Sequence, residues 1–212
     1  MLKKISTILL ILTGVDVLIL SAFGLLSPLF AIFVTKQIAG GTATVVGFAT
    51  AVYFIAKSLV QIPIGRFIDK HSGEKDDFLV LIIGHLALTV VPFLYLLART
   101  PFHIYALQAV LGVADALVVP AYLAIFSRHL DKEHEGTEWS VRSVFVGTAA
   151  AVAGAFGGVI VDNFGFETLF VSAGILAIFA AVSVLFIRPF IYEERAKAIP
   201  PGLAQVGSPK TK

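Results

Sequence analysis

The sequence predicts an all-α integral membrane protein with six transmembrane helices. Of its 212 residues, 58% are hydrophobic and only 14% are charged, where soluble domains carry about 25% charged residues. Six spans of about 20 residues would take up roughly 120 residues, which matches this apolar content. No segment shows the alternating pattern of a membrane barrel, so we expect a helix bundle without a soluble domain.

The predicted spans follow one another through short connections that are charged or rich in turn-forming residues. They cover residues 7–34, 44–66, 78–98, 103–126, 141–161 and 169–187. Lys3-Lys4 before the first span imitates a signal peptide, but Asp16 interrupts the apolar run and no small-residue cleavage site follows it. We therefore expect residues 1–192 to form the bundle and residues 193–212 to be a disordered cytoplasmic tail.

The charges of the loops predict the orientation of the bundle. Thirteen lysine and arginine residues fall on one side, and only Lys36 and Arg99 fall on the other. Cytoplasmic loops carry such an excess of basic residues, so both termini are expected in the cytoplasm. The expected location is a bacterial-type plasma (inner) membrane.

Composition and motifs exclude several classes of function. A net charge of +2 is too balanced for nucleic-acid binding, and a chain without cysteine has no disulfide, thiol nucleophile or cysteine-based metal site. The sequence contains no phosphate-binding loop, nucleotide fingerprint or zinc-type histidine spacing. We therefore expect no enzyme, no cofactor and no metal site.

Spans 1–3 resemble spans 4–6 at an offset of about 92 residues. Pro28 is echoed by Pro120, each followed shortly by Ala-Ile-Phe, and Gly65-x-x-x-Asp69 is echoed by Gly158-x-x-x-Asp162. Because each unit has three spans, the second unit would be inverted in the membrane, as in many secondary transporters. Chance similarity between two apolar segments is the alternative.

Residues 65–75 carry the pattern Gly65-x-x-x-Asp69-Lys70-x-x-Gly73-Glu74 at the predicted cytoplasmic end of span 2. This pattern resembles the loop signature of the major facilitator superfamily, Gly-x-x-x-Asp-(Arg/Lys)-x-Gly-(Arg/Lys)-(Arg/Lys). One extra residue precedes the second glycine, and Glu74 replaces a basic residue.

Two further segments are compared with the same family. Gln108-x-x-x-Gly112 is similar to the Arg-x-x-Gln-Gly pattern of helix 4, although Gln108 stands where the family has arginine. Residues 157–165 resemble the end of helix 5, whereas residues 153–158 lack the proline of the antiporter signature. The resemblance covers about residues 5–190, which correspond to the first half of a typical member.

The resemblance implies a fold and a function. Full members have twelve spans in two six-span halves, with the substrate between the halves. A half-length member would move a small polar solute by alternating access, as a homodimer or with a separate second half. The alternatives are a non-transporting six-span scaffold and a truncated remnant, although a remnant gains nothing from keeping charges inside the membrane.

Three charged residues, Asp16, Lys57 and Asp115, occur at mid-membrane depth in the predicted spans. Each costs about 2.5–3.5 kcal/mol at mid-membrane, so we expect them to be paired or to face water. Lys57 and Asp115 form either a substrate or proton site or a structural ion pair between spans 2 and 4. Asp16 is either a proton-coupling carboxylate, as in proton-linked members of the family, or is satisfied by neighbouring hydroxyls or by Lys57. With the polar residues on the same helix faces, the candidate solute- or proton-binding residues are Asp16, Tyr53, Lys57, Gln61, Gln108 and Asp115.

A cytoplasmic gate is predicted at Gly65, Asp69, Lys70, Gly73 and Arg128. By the resemblance, the Asp69 carboxylate meets the N-terminus of a helix in the opposite half, where the helix dipole favours an anion. In a two-fold dimer, the equivalent segment is residues 140–143 of the partner, and Arg128 is another candidate partner of Asp69. The alternative is a solvated loop charge.

Span 5 carries a face of small residues that includes Gly147, Gly154 and Gly158. Such a face suits close helix packing, either against another half or against span 1 or 2 of the same chain. Glu138 and Arg142 are four residues apart and are expected to steady the start of this helix.

Overall fold

In the computed structural model, which describes residues 6–70 and 73–192, helices are joined by short connections. The helices are α1 (Thr7–Leu26), α2 (Phe30–Gln37), α3 (Ala43–Lys70), α4 (Glu74–Tyr95), α5 (Pro101–Arg128) and α6 (Glu135–Val184). Five stretches of the described residues are long and apolar enough to cross a membrane, with α1 and α2 counted together. The described part of the chain is therefore helical throughout, in the manner of an α-helical integral membrane protein. The predicted disordered tail, residues 193–212, lies outside the described residues.

The chain leaves helical geometry inside α6, at Gly165. Its φ of 81° and ψ of 174° are accessible to glycine and strained for residues that carry a Cβ. The stretch Glu135–Tyr192 has 58 residues, and a straight helix of that length would span about 87 Å, against about 30 Å of bilayer hydrocarbon. Gly165 divides α6 into two helical segments, 135–164 and 166–184. The connection predicted at 162–168 is wrong in extent, because its other residues are helical.

Pro28 interrupts the first predicted span. α1 ends at Leu26, and a 3-10 turn at Ser27–Leu29 separates it from α2. Proline has no amide N–H and its ring clashes with the preceding helical turn, so the first span, predicted at residues 7–34, contains a 3-10 turn within one membrane-length stretch.

Two buried apolar clusters lie toward opposite ends of the bundle. One cluster joins the first part of α1, the end of α3, the first part of α4 and the second part of α5, and the other joins the remaining part of each. Along α6, Trp139 packs against the first cluster, Ala153 and Ala173 belong to the second, and Ala177 and Val184 belong to the first. Successive helices therefore run in alternating directions, and the chain reverses at Gly165.

Close backbone approaches hold the helices in two packed pairs. α1 packs mainly against α6 and α3 against α5, while α4 contacts both α5 and α6. A Cβ placed on Gly157 of α6 would lie 2.5 Å from the Leu25 carbonyl oxygen of α1. On α5, a Cβ on Gly112 would collide with the Tyr53 carbonyl oxygen of α3. Glycine at these contacts lets the helices meet backbone to backbone.

Candidate functional site

A cavity of about 480 Å³ lies between the α1–α6 pair and the α3–α5 pair. Its size is within the range of about 300–1,000 Å³ that is typical of ligand pockets. Most of its lining side chains are aliphatic or aromatic. The charged and amide-bearing residues among them, with two tyrosines that contact them, are Asp16, Tyr53, Gln108, Asp115, Tyr122 and Arg142.

An ion pair links α3 to α5 beside this cavity. Lys57 Nζ lies 2.6 Å from Asp115 Oδ2, and the Tyr53 hydroxyl donates to the same oxygen at 2.5 Å. Lys57 also donates to the Tyr53 hydroxyl at 3.4 Å. The Lys57 and Asp115 side chains keep 21% and 24% exposure. The structure thus brings three of the predicted polar residues together, with Asp115 and Tyr53 on the cavity wall.

A second charged cluster joins α1, α5 and α6 and centres on Arg142. Arg142 Nε donates to Asp16 Oδ2 at 2.7 Å and to the Tyr122 hydroxyl at 2.9 Å, and Arg142 Nη2 also pairs with Asp16 Oδ2. Glu138 and Arg142 were expected to steady the start of this helix, but Arg142 binds residues of α1 and α5. Glu138 instead accepts a hydrogen bond of 2.9 Å from the Asp131 backbone amide.

Sequence reasoning missed Arg142 because it pairs across a tertiary contact. The available signal was depth: Arg142 lies seven residues, or about 10 Å, inside α6, too deep for a residue that only caps the helix start. A basic residue at that depth needs a carboxylate, and Asp16 is the other charge near the same level.

Three aromatic rings surround the Arg142 guanidinium. Its central carbon lies 5.0 Å from the Tyr122 ring centroid, 5.4 Å from that of Trp139 and 6.0 Å from that of Phe126. Cation–π contacts within about 6 Å are attractive, so the rings and Asp16 together fix the guanidinium.

The remaining candidate binding residues differ in their position. Gln108 is 7% exposed and borders the cavity two turns before Asp115 on α5. Gln61 is half-buried on α3 and is not among the lining residues. The polar face of α3 therefore meets the cavity at Tyr53 rather than along its whole length.

Aromatic side chains line the part of the cavity farther from Arg142. The Phe33 ring lies 4.7 Å from the Phe170 ring, 5.4 Å from the Phe166 ring and 6.1 Å from the Tyr95 ring, centroid to centroid. Tyr95 and Phe170 stack at 5.3 Å. All four residues border the cavity, so its walls are polar near one end and aromatic near the other.

The predicted gate residues are placed at the same end as the α3 C-terminus. Asp69, Lys70 and Gly73 are exposed, and Gly65 is half-buried. Arg128 pairs with Asp77, which is fully buried, and lies 4.0 Å from a Glu74 carboxylate oxygen. These ion pairs of Arg128 replace the one expected with Asp69, since the start of α4 packs against the end of α5.

The three predicted packing glycines have different surroundings. A Cβ on Gly154 would lie 3.5 Å from the Gly24 carbonyl oxygen of α1, whereas Gly147 and Gly158 have nothing within 4 Å of that position. Of the α6 glycines, Gly157, which was not singled out, lies closest to the α1 backbone. Only Gly154 of the predicted three thus faces a helix of this chain closely.

One group of possible metal ligands stands in the described residues. Asp131, Glu133 and His134 hold ligand atoms within 4.8 Å of one another on the connection before α6. Glu133 is exposed and the other two are half-buried, an arrangement that is common on protein surfaces without an ion.

The sequence matches a known protein family and several curated proteins. The family model described as Major Facilitator Superfamily matches residues 12–211. Multidrug resistance protein MdtG of Klebsiella pneumoniae (strain 342) is 26% identical over 171 residues, which are 79% of this chain and 40% of that relative. MdtG of Escherichia coli O9:H4 (strain HS) is 26% identical over 165 residues, covering 76% of this chain and 39% of its own length. The chain thus spans about two fifths of the length of these curated relatives.

The solved structure of the POT family transporter PepTSo, determined in meso, has a similar fold. The match has a TM-score of 0.66 at 13% sequence identity and covers 88% of this chain and 38% of that one. At this identity the likeness concerns the fold alone. The family match covers most of the chain and agrees with its apolar helices and central cavity, and we conclude that the chain belongs to the major facilitator superfamily of membrane transporters.

Proposed function

We propose that the chain forms one half-bundle of a secondary transporter that moves a small solute by alternating access. The main support is that two ion pairs, Asp16–Arg142 and Lys57–Asp115, meet one cavity inside a membrane bundle. Ionisable groups inside a membrane are costly unless they are paired or face water, and they commonly mark solute or ion pathways. The name of the MdtG relatives, multidrug resistance protein, agrees with transport of small molecules.

The proposed topology has six crossings in two inverted three-helix repeats within residues 1–192. The reversal at Gly165 supports separate fifth and sixth crossings, since the two segments of α6 pack on different helices. The excess of basic residues on one side supports cytoplasmic termini in an inner membrane of bacterial type.

A second six-helix bundle would complete the pathway. Lys57 and Asp115 remain 21% and 24% exposed, and lipid at that surface would leave their charges poorly solvated. α3 also exposes a row of large apolar side chains: Phe48, Phe54, Ile55, Leu59 and Ile62. A second copy of this chain, or a separate half, would cover the pair and enclose the cavity.

Coupling to protons is proposed through Asp16 or Asp115. Protonation of either carboxylate removes the charge that its basic partner binds, and so weakens an ion pair between two helices. The Asp16 ion pair joins α1 to Arg142 of α6, and Arg142 in turn donates a hydrogen bond to Tyr122 of α5. Solute and proton would then act on the same contacts, as coupled transport requires.

The proposed gate rests on Asp69 at the cytoplasmic end of α3. Its exposed carboxylate would dock on the helix start of the second bundle, with Gly65, Lys70 and Gly73 shaping the turn. Arg128 would contribute indirectly, by fixing the start of α4 through Asp77 and Glu74.

The first test is the mass of the protein in lipid nanodiscs by native mass spectrometry, followed by proton flux in proteoliposomes. A dimer with proton flux that Asp16→Asn or Asp115→Asn abolishes is the expected result. Glu167→Gln, an exposed change on α6, serves as the matched control and leaves flux unaltered. A stable monomer without flux would contradict the homodimer and favour a separate second half or a non-transporting scaffold.

A further inference from the structure

The Arg142 guanidinium keeps part of its hydrogen-bonding capacity for a ligand. Its Nε and Nη2 atoms engage Asp16 and Tyr122, while Nη1 has no hydrogen bond to another described residue. The side chain is 21% exposed and borders the cavity. Nη1 is not one of the buried polar atoms that lack a hydrogen-bond partner among the described residues. Two N–H donors of a firmly held cation are therefore available to an acceptor.

The Asp115 carboxylate offers the opposite charge. Its Oδ2 receives Lys57 and Tyr53, while Oδ1 has no hydrogen bond to another described residue. Asp115 is 24% exposed and lines the cavity, whereas its partner Lys57 is not a lining residue. Of this ion pair, the Asp115 carboxylate is therefore the charge that lines the cavity.

The two half-buried charges are attached to the cavity wall at levels about two helical turns apart along α5. Tyr122, which binds Arg142, follows Asp115 by seven residues on α5, which corresponds to about 10 Å along the helix. Apolar side chains line the cavity between them, among them Ile19 and Phe23 of α1 and Val118 of α5. A ligand that reaches both charges needs an apolar body of a few carbon–carbon bonds or one ring.

Charge balance selects among ligands. Asp16, Arg142, Lys57 and Asp115 together carry no net charge when all four are ionised. A ligand with a single charge would leave that charge uncompensated in a region of low dielectric, which is unfavourable. A zwitterion brings opposite charges to Arg142 and Asp115 and leaves the site neutral.

We propose that the cavity binds a zwitterionic small molecule with an apolar body, its carboxylate on Arg142 Nη1 and its ammonium on Asp115 Oδ1. The identity of this ligand as the transported solute rests on the proposed function. The binding site itself rests on the cavity and on its two half-buried charges, Arg142 and Asp115.

Three probes with the same ring test the proposal on the unaltered full chain in nanodiscs. They are 4-(aminomethyl)benzoate, a zwitterion, 4-methylbenzoate, an anion, and 4-methylbenzylamine, a cation. Calorimetric titration should show the zwitterion binding at least about tenfold more tightly than either singly charged probe, as expected for one additional charged hydrogen bond. Equal binding of the three, tighter binding of a singly charged probe, or no binding would overturn the proposal.

Trp139 reports where the probe binds. It is the only tryptophan of the chain and its ring lies 5.4 Å from the Arg142 guanidinium carbon, so carboxylate binding there should change its fluorescence. Arg142→Gln should reduce the affinity for the zwitterion about tenfold without reducing that for the amine. Asp115→Asn should likewise reduce the affinity for the zwitterion about tenfold without reducing that for 4-methylbenzoate. Loss of affinity for all three probes in both variants would contradict the assignment of separate half-sites.

Transport distinguishes this proposal from the broader one. Preferential zwitterion binding without uptake into proteoliposomes would support the site and contradict the transport function. Uptake of other solutes without preference for the zwitterion would support transport and overturn the site.

Discussion

Arg142 of α6 and Asp16 of α1 are 126 positions apart in the sequence and are joined by a hydrogen bond of 2.7 Å. The same Arg142 nitrogen donates to Tyr122 of α5 at 2.9 Å. Because α1 and α5 make little direct contact, Arg142 provides a hydrogen-bonded connection between the α1–α6 pair and the α3–α5 pair at this end of the cavity, beside the Phe126–Trp139 ring contact. A change at this residue therefore affects both the stability of the bundle and the shape of the cavity.

Arg142→Gln should lower the free energy of unfolding by about 3 kcal/mol, the lower end of the range for broken buried ion pairs, because Arg142 keeps 21% exposure. The loss leaves the Asp16 carboxylate buried without its cation. Thermal unfolding followed by size-exclusion chromatography in detergent measures the change. The double variant Asp16→Asn/Arg142→Gln should recover part of the stability, and a double variant less stable than Arg142→Gln would argue against the pair.

Exchanging Lys57 and Asp115 for each other should restore part of the stability that either single change removes. Lys57→Asp or Asp115→Lys replaces the native ion pair of 2.6 Å by two neighbouring like charges and should destabilise the chain by more than about 2 kcal/mol. The double exchange restores an attractive pair between α3 and α5. The same thermal unfolding assay measures the stability of all three variants. A double variant as unstable as the less stable single variant would exclude a direct ion pair between Lys57 and Asp115.

Gly157→Ala and Gly158→Ala form a matched pair on neighbouring positions of α6. A Cβ at Gly157 would lie 2.5 Å from the Leu25 carbonyl oxygen, so α1 and α6 must separate, at a cost of about 1–3 kcal/mol. A Cβ at Gly158 meets nothing within 4 Å, and alanine there should stabilise the helix by up to about 1 kcal/mol. Equal effects of the two changes in thermal unfolding would contradict the α1–α6 contact.

Gly165→Ala should destabilise the reversal of the chain by about 1–3 kcal/mol, because φ of 81° with ψ of 174° strains any residue with a Cβ. Gly147→Ala, earlier in α6 and without close neighbours, is the control and should be neutral or stabilising. Unfolding temperatures of the two variants supply the comparison. An unaffected Gly165→Ala variant would mean that this position adopts another backbone conformation.

Arg128→Gln and Asp69→Asn should separate stability from gating. Arg128→Gln leaves the fully buried Asp77 without its cation and should lower the unfolding temperature clearly. Asp69→Asn changes an exposed carboxylate, so stability should stay constant while labelling of cysteines on the proposed cytoplasmic side increases. The chain has no cysteine of its own, so single introduced cysteines give an unambiguous labelling signal. Unchanged labelling in Asp69→Asn would count against the gate.

Composition and local motifs were sufficient for the class of the protein. Long apolar runs establish membrane helices because the bilayer admits few other structures, and residues 65–75 together with Gln108 and Gly112 already resembled the superfamily. Lys57 and Asp115 were identified as a candidate pair because both are charges near the middle of their spans. Each of these properties is local: it depends on residue type and on position along one helix.

Partnerships between helices needed the tertiary structure. Arg142 binds Asp16 rather than Glu138, Arg128 binds Asp77 rather than Asp69, and the α6 glycine nearest to the α1 backbone is Gly157. In each case the sequence gives the depth of a residue in its span, while the rotation of the helix decides which neighbour it meets. That rotation is set by the packing of whole helix faces against one another, which is a property of the folded bundle and not of any single segment.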